Sequence, residues 1–326
     1  MRKTGFAAAV ALLASCAAVA APRSDPPPPW AFMLLHEESD PAPASRLITV
    51  PGSALQMTEK ALNDPFAGAD WFPADHPTMP EVVAHGRRPR LWACSYCHGP
   101  TGVGDPASAA LAGLPAAYIE QQLAEFCAGR RQCAVAKTAC GEAMPQIARL
   151  VSASEARAAA IYFSKLHYRP RVHVVEAARV PKTRYGNLFP VRLASGGTEP
   201  IGMRILEMPD NVALEHDDDR VSITAYVPPG SVALGKSLVE SGAGARPCAS
   251  CHGPRLQGVG MVPPLAGRTP TYIVRQLYDL QYGYRRGAAV APMVPEVAHL
   301  TARDRIAIAA YLASLPPEQP MKEAMR

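Results

Sequence analysis

Two stretches of this chain are copies of each other at a fixed offset, and that alone calls for two like units in tandem. A shift of 154 positions carries Cys94, Cys97 and His98 onto Cys248, Cys251 and His252. The same shift carries Gly99-Pro100 onto Gly253-Pro254, Gly104 onto Gly258 and Leu111-Ala112-Gly113 onto Leu265-Ala266-Gly267. It runs on without a gap, taking Tyr118-Ile119 to Tyr272-Ile273, Gln122-Leu123 to Gln276-Leu277 and Gly129 to Gly283. Farther along the offset falls to 149, matching Met144 with Met293, Tyr162 with Tyr311 and Leu166 with Leu315. The first copy therefore carries five extra residues between Gly129 and Met144. Self-similarity of this kind marks a repeated structural unit.

Each copy opens on a C-x-x-C-H pentapeptide, Cys94-Ser95-Tyr96-Cys97-His98 and Cys248-Ala249-Ser250-Cys251-His252. This is the attachment sequence of c-type haem. The two thiols add to the haem vinyl groups as thioethers, and the adjacent His falls under the iron as proximal ligand. A zinc site made from paired C-x-x-C would need four ligands converging from both pairs. Here each pair has its own His and its own repeat, which favours two covalently bound haem c groups. A six-coordinate iron needs a second axial ligand, and a thioether raises the potential relative to a second imidazole. Met144 lies 46 residues after His98, in Ala143-Met144-Pro145, and Met293 lies 41 after His252, in Ala291-Pro292-Met293. A single Met is more often core filling; equivalence within the repeat makes these two the expected iron ligands.

The neighbouring residues carry weaker signals. Met261 follows His252 by only nine residues, too few to reach around the ring, and Met79, Met203 and Met208 lie outside the repeats and are expected to pack. Gly99 and Gly253 are expected to let backbone approach the porphyrin. The carbonyls of Pro100 and Pro254 are expected to accept the imidazole N–H and orient the ring. His36, His76, His85, His167, His173, His216 and His299 have no repeat partner and read as surface or packing residues. Cys127, Cys133 and Cys140 cluster around the insertion of the first copy. In an oxidising compartment two of them should pair, with three pairings open and one thiol left over. A sharper alternative, Cys140 as a thiolate ligand in place of Met144, lacks any counterpart in the second copy.

Hydrophobic residues make up 48% of the 326 positions and aromatics only 6%, which with the Ala-rich segments favours small helical domains. Ile119, Leu123 and Phe126 share one helical face after Pro115, and Ile273, Leu277 and Leu280 repeat the spacing. Ser152-Ala153-Ser154-Glu155 is a capping box opening a last helix, and Thr301-Ala302-Arg303-Asp304 is its near relative. A short helix is expected before each haem motif, clearest over Ser231 to Ser241. Val172 to Val175, Met203 to Met208 and Val221 to Val227 have strand-like composition broken by Pro and Gly. The formal charge of +5 is spread without a Lys/Arg tract, which excludes a nucleic-acid surface.

The N-terminus reads as an export signal over residues 1–20, with Arg2 and Lys3 ahead of a short apolar run from Ala7 to Ala14. Two cleavage readings stay open. Leu13-Ala14-Ser15-Cys16 resembles a lipobox, which would lipidate Cys16; Ala18-Val19-Ala20 fits ordinary signal peptidase. No later run of about 18 apolar residues offers a membrane span. Four prolines, Pro26 to Pro29, then force extended geometry, and the segment to Pro80 is read as an extension packed over the first haem domain.

Together these residues resemble the two-domain dihaem members of class I cytochrome c. The pattern runs from the haem motif through Pro264-Leu265-Ala266-Gly267, Tyr272-Ile273, Gln276-Leu277 and Met293 to Tyr311-Leu312. The resemblance implies a mainly α chain with two such domains in tandem, at 81–168 and 231–318. Around them lie an irregular extension at 21–80, a connector with a few short strands at 169–230 and a tail at 319–326. It implies haem held by Cys94, Cys97, Cys248 and Cys251, and iron ligated by His98, Met144, His252 and Met293, with no catalytic residue. The function implied is one-electron transfer in the periplasm, soluble or lipid-anchored. The donor would be a dehydrogenase or quinol-oxidising complex, the acceptor a terminal oxidase. A dihaem enzyme of the peroxidase or thiosulfate-oxidising type, or a subunit docked on a dehydrogenase, are the alternatives. The proline-rich extension, the long connector and the cysteine-bearing insertion depart from the simpler family members.

Overall fold

The computed structural model describes residues 25–33, 45–185, 190–211 and 218–317. The expected signal at 1–20 with Cys16, His36, His216 and the tail at 319–326 lie outside the described residues. The extension contributes a two-residue pairing of β1 (Leu47–Ile48) with β2 (Met57–Thr58) and one turn of helix, α1 (Glu59–Leu62). The first repeat follows with α2 (Glu81–Ala84), α3 (Cys94–His98), α4 (Ala116–Cys127), α5 (Met144–Leu150) and α6 (Ala153–Ser164). Its helices enclose a core of Val83, Leu91, Ala112, Ile119, Ala160 and Phe163.

The chain then makes β3 (Val172–Glu176), β4 (Arg179–Pro181), β5 (Thr183–Tyr185), β6 (Pro190–Arg192), β7 (Thr198–Pro200), β8 (Leu206–Pro209) and β9 (Ile223–Val227). A three-stranded sheet has the order β3-β9-β8, with β3 parallel and β8 antiparallel to β9; β4 pairs with β7 and β5 with β6. The second repeat supplies α7 (Ser231–Ser241), α8 (Ala249–His252), α9 (Pro270–Gln281), α10 (Val294–Val297) and α11 (Ala302–Ser314). The sheet is not a separate linker. Ile205, Ala225 and Val227 lie in one core with Val239, Ile273, Val274, Ile306 and Ala309 of the second repeat. Both expected capping boxes form, Ser152 with Glu155 and Thr301 with Asp304.

The extension does not lie on the first repeat alone, as the sequence reading expected. Pro29 opens a single 3-10 turn, and Phe32 packs edge-on against Tyr278 of α9 at 5.9 Å between centroids. The Ala31 carbonyl accepts from Arg275 and the Asp25 carbonyl from Tyr278. Residues 25–33 therefore strap the second repeat. Only the later part covers the first repeat, where the Pro65 carbonyl accepts from Ala93 N at 2.8 Å and Arg88 pairs with Asp64. The split follows from burial: Phe32 and Ala31 reach an apolar surface on α9, whereas Trp71, Ile48 and Leu62 make a small core of their own.

The two repeats meet through equivalent residues that contact one another reciprocally. Gln132 N donates to Tyr284 O and Arg286 N to Arg130 O, each at 2.9 Å. Arg131 Nη1 donates to Gln122 Oε1 and Arg285 Nη1 to Gln276 Oε1, each at 2.8 Å. Across the interface Arg131 Nη2 reaches Gln276 Oε1 at 3.4 Å and Arg285 Nη2 reaches Gln122 Oε1 at 3.2 Å. Every one of these pairs is related by the 154-residue shift. A contact in which residue i meets j and j meets i is the signature of a two-fold interface, here realised within one chain. The equivalence also extends the gap-free match to Gln132 and Arg286, which confines the insertion to the residues after Gln132.

Candidate functional site

Within the first repeat, Cys94, Cys97 and His98 on α3 line one cavity together with Ala107, Ser108, Ala109, Leu114, Ile119 and Met144. Helix α3 is placed from behind by Ser95 Oγ, which donates to the Val83 carbonyl of α2 at 2.7 Å. A π-helical turn over Ala139–Ala143 delivers Met144 to the same cavity. Extra backbone of this kind inside a helix recurs at functional sites. In the second repeat Cys248 and His252 sit on and beside α8, and Met293 closes a 3-10 turn over Ala291–Met293. Cys248 and Met293 pack against one and the same apolar core.

Both imidazoles are buried and oriented by main-chain carbonyls, but not by those the sequence reading named. His98 Nδ1 bonds the Ala109 carbonyl at 2.7 Å and His252 Nδ1 the Pro263 carbonyl at 2.8 Å. Ala109 and Pro263 are themselves 154 residues apart. Pro100 O instead accepts from Tyr162 Oη at 2.7 Å, and Pro254 is exposed. A main-chain acceptor carries no side-chain signature, so only the fold could show which one comes into range. Gly99 and Gly253 have φ of +74° and +86°, backbone that disfavours other residues. A Cβ at Gly99 would strike the Asp219 carboxylate, and one at Gly253 would press on the Gln257 side chain. Those contacts and the backbone itself, rather than approach to a ring, are what the structure shows at these glycines.

The remaining expectations divide. Cys133 and Cys140 form a disulfide, which removes Cys140 as a thiolate ligand and leaves Cys127 as an exposed thiol. Met208 is buried as expected, whereas Met203 is exposed. Among the described residues no three His, Cys, Asp or Glu side chains converge to hold a metal ion. His76 pairs with Asp70 at 3.1 Å.

These residues fit haem. His252 Nε2 is buried and meets no hydrogen-bonding partner among the described residues. With Nδ1 already committed to Pro263, a metal is the partner that would satisfy it. Burial holds both imidazoles below the ordinary His range, against the carbonyl bonds that would raise them, which keeps the ring in its neutral, ligating form. Burial likewise pushes the Cys94 thiol up to about 12, so this residue is shielded from ordinary thiolate chemistry. On the interface side the same cavity is walled by Arg131 and Arg275. Cations there suit the two propionate carboxylates that haem carries.

Comparison with known proteins agrees. Residues 232–316 match the family model described as cytochrome c. Over 94 residues the chain is 36% identical to cytochrome c-554(547) of Halothiobacillus neapolitanus, covering 98% of that protein and 26% of this chain. The chain belongs to the cytochrome c family. It is a dihaem cytochrome c, with haem c bound covalently. A longer similarity, 28% identity over 231 residues, joins this cytochrome to a thiosulfate dehydrogenase electron acceptor of Thiomonas intermedia, covering 70% of this chain and 81% of that one. The solved structure of a thiosulfate dehydrogenase from Marichromatium purpuratum superposes with a TM-score of 0.50 at 25% identity, over 72% of this chain. The cytochrome spans 39% of that enzyme's length. No helix among the described residues is long and apolar enough to cross a membrane.

Proposed function

We propose that this cytochrome is an exported one-electron carrier with two six-coordinate His/Met haems, and that it accepts electrons from a thiosulfate-oxidising enzyme. The observation that carries the reading is the convergence of Cys94, Cys97, His98 and Met144 on one cavity, with repeat equivalents of all four in the second unit. Bound haem supplies an iron that cycles between ferrous and ferric states, and the protein's residues set where and how easily it does so.

Cys94, Cys97, Cys248 and Cys251 tether the two rings as thioethers. His98 and His252 are aimed by the Ala109 and Pro263 carbonyls, which fixes the tautomer with the proton on Nδ1 and Nε2 facing the metal. Met144 and Met293 would each supply a thioether to a bound iron, which would leave no open position for a substrate and restrict the chemistry to one-electron transfer. The apolar cavity wall of Leu114, Ile119, Phe126 and Ile147 keeps water off the first site. The similarity to a protein named as a thiosulfate dehydrogenase electron acceptor supports that donor class; a downstream oxidase is the fitting acceptor.

The test is optical. Met-to-iron coordination gives a weak sulfur-to-iron charge-transfer band at the red end of the visible spectrum. The oxidised protein should show it at the intensity of two centres. Met144→His and Met293→His should each remove about half, with the spectrum otherwise low-spin. A high-spin component in the unaltered protein, or turnover of peroxide or thiosulfate by the isolated chain, would overturn the carrier reading in favour of an enzyme.

A further inference from the structure

The two haem sites are built from equivalent residues but are covered very differently. Around the first, three segments with no counterpart in the repeat close over the motif and its flanking loops. The extension packs on α3, where Gly68 leaves no room for a side chain beside Ser95. The connector closes over it from both ends: Asp219, before β9, accepts from the Thr101 N–H at 2.8 Å, and Arg171, before β3, donates to the Gly104 carbonyl. The disulfide-bearing insertion places Cys140 in the cavity wall and ties Ala134 N to Asp279 of α9 at 3.0 Å. Arg275 of α9 caps the loop after the motif through the Pro106 and Ala107 carbonyls.

Among the described residues, none of these contacts has an equivalent over the second motif. Pro100 and Asp105 are buried, while their equivalents Pro254 and Val259 are exposed. Ala107 corresponds to Met261, and Pro145 after the first ligand to Val294 after the second. Val259, Met261 and Val294 are 51%, 43% and 41% exposed, three of the eight large hydrophobic side chains that the described residues leave in water. They fall on the two loops bordering one ring. In the first repeat Ala107 to Ala109 and Met144 line a single cavity, so Met261 to Pro263 and Met293 border the matching one. Arg246, paired with Glu296 at 2.7 Å, and Arg255, three residues after His252, add exposed positive charge at the margin of these loops.

We infer that the second haem is the port through which electrons enter and leave, and that the apolar rim of Val259, Met261 and Val294 is its docking surface. The partner it fits is a redox protein whose contact face is apolar at the centre and rich in carboxylates at the margin. The first haem is then an enclosed store that exchanges electrons only with the second, across the reciprocal Arg131/Arg285 interface. In oxidation by a one-electron acceptor, the ferrous second haem gives one electron and becomes ferric. An electron from the first haem then refills it, and a second acceptor takes that one; no proton moves. The inference rests on the His/Met reading above for the identity of the two centres.

Two measurements test it. In the reduced, diamagnetic holoprotein each axial Met methyl resonates far upfield in the proton spectrum, and Met144→His identifies which signal is which. Hexacyanochromate(III), a paramagnetic and redox-inert anion, should broaden the Met293 methyl and leave that of Met144 sharp. Equal or greater broadening at Met144 overturns the port. If two upfield methyls are absent, the ligand reading has failed instead, and kinetics decide the port alone. There, oxidation of the reduced protein by ferricyanide should slow about ten-fold in the Met261→Glu/Val294→Glu double variant. Met203→Glu, an exposed site on the connector, should change the rate less than about two-fold. A double variant no slower than Met203→Glu overturns the docking surface whatever the ligands are.

Discussion

Tyr162 shows how a single hydroxyl can hold a haem loop. Its side chain is buried, and its Oη donates to the Pro100 carbonyl, two residues beyond His98. Burial pushes its hydroxyl pKa up from the ordinary phenol range, so the phenol stays protonated and remains a donor. Tyr162→Phe would leave a buried carbonyl without its donor, at a cost of about 1–2 kcal/mol. The equivalent Tyr311→Phe should cost less, because Tyr311 is only half-buried and Pro254 lies exposed to water. Urea midpoints of the two variants check the difference. At this scale spacing alone picked out Cys94, Cys97, His98 and their equivalents, and the structure brings the first three to one cavity. The acceptors Ala109 and Pro263 were not, since a carbonyl has no residue type, although the 154-residue offset relates them.

At the scale of elements, helices were the readable part. Apolar spacing points to α4 and α9, and the capping boxes fix the first turns of α6 and α11, because both signals are local. The crossing of α7 over α11 was not local. Gly235 of α7 lies so close to α11 that a Cβ would collide with the Ala307 carbonyl. Gly235→Ala should therefore destabilise the second repeat by about 1–3 kcal/mol, despite the better helix propensity of Ala. Thermal unfolding followed by circular dichroism checks this; an unchanged or raised midpoint would mean the helices separate without cost. The strand-like composition of the connector was also legible. Its partnership was not: β3 and β9 pair in parallel although about fifty residues part them.

Over the whole molecule, the connector and the repeats are joined by buried charge. Glu207 of β8 accepts from Thr271 N at the start of α9 at 2.7 Å, and its other oxygen has no partner. Burial raises its pKa from 4.5 to about 7. The folded chain therefore keeps a proton that the unfolded chain gives up between about pH 4.5 and 7. This group's contribution to stability is complete below about pH 4.5, falls as the pH rises through that window, and is lost above about 7. Glu207→Gln keeps the acceptor for Thr271 without the ionisation. It should be close to neutral near pH 4.5 and stabilising at pH 8, read from urea midpoints at the two values. Asp105 and Asp279, buried and raised to about 6 and about 7, act in the same direction from the repeat interface.

By itself the sequence determined that one pattern occurs twice, that each copy carries a haem c attachment motif, and where the last helix of each begins. These follow from short-range chemistry: five-residue motifs, caps, periodic apolar positions and an offset that needs no coordinates to count. Only the tertiary structure decided which carbonyls orient the imidazoles, that Cys133 pairs with Cys140, and that the extension divides between the two repeats. It also decided that the motifs differ in cover, the first enclosed and the second open at its rim. Each of these depends on groups distant in the chain meeting in space, and what brings them together is burial of apolar surface, which is non-directional and leaves no pattern at the residues it joins.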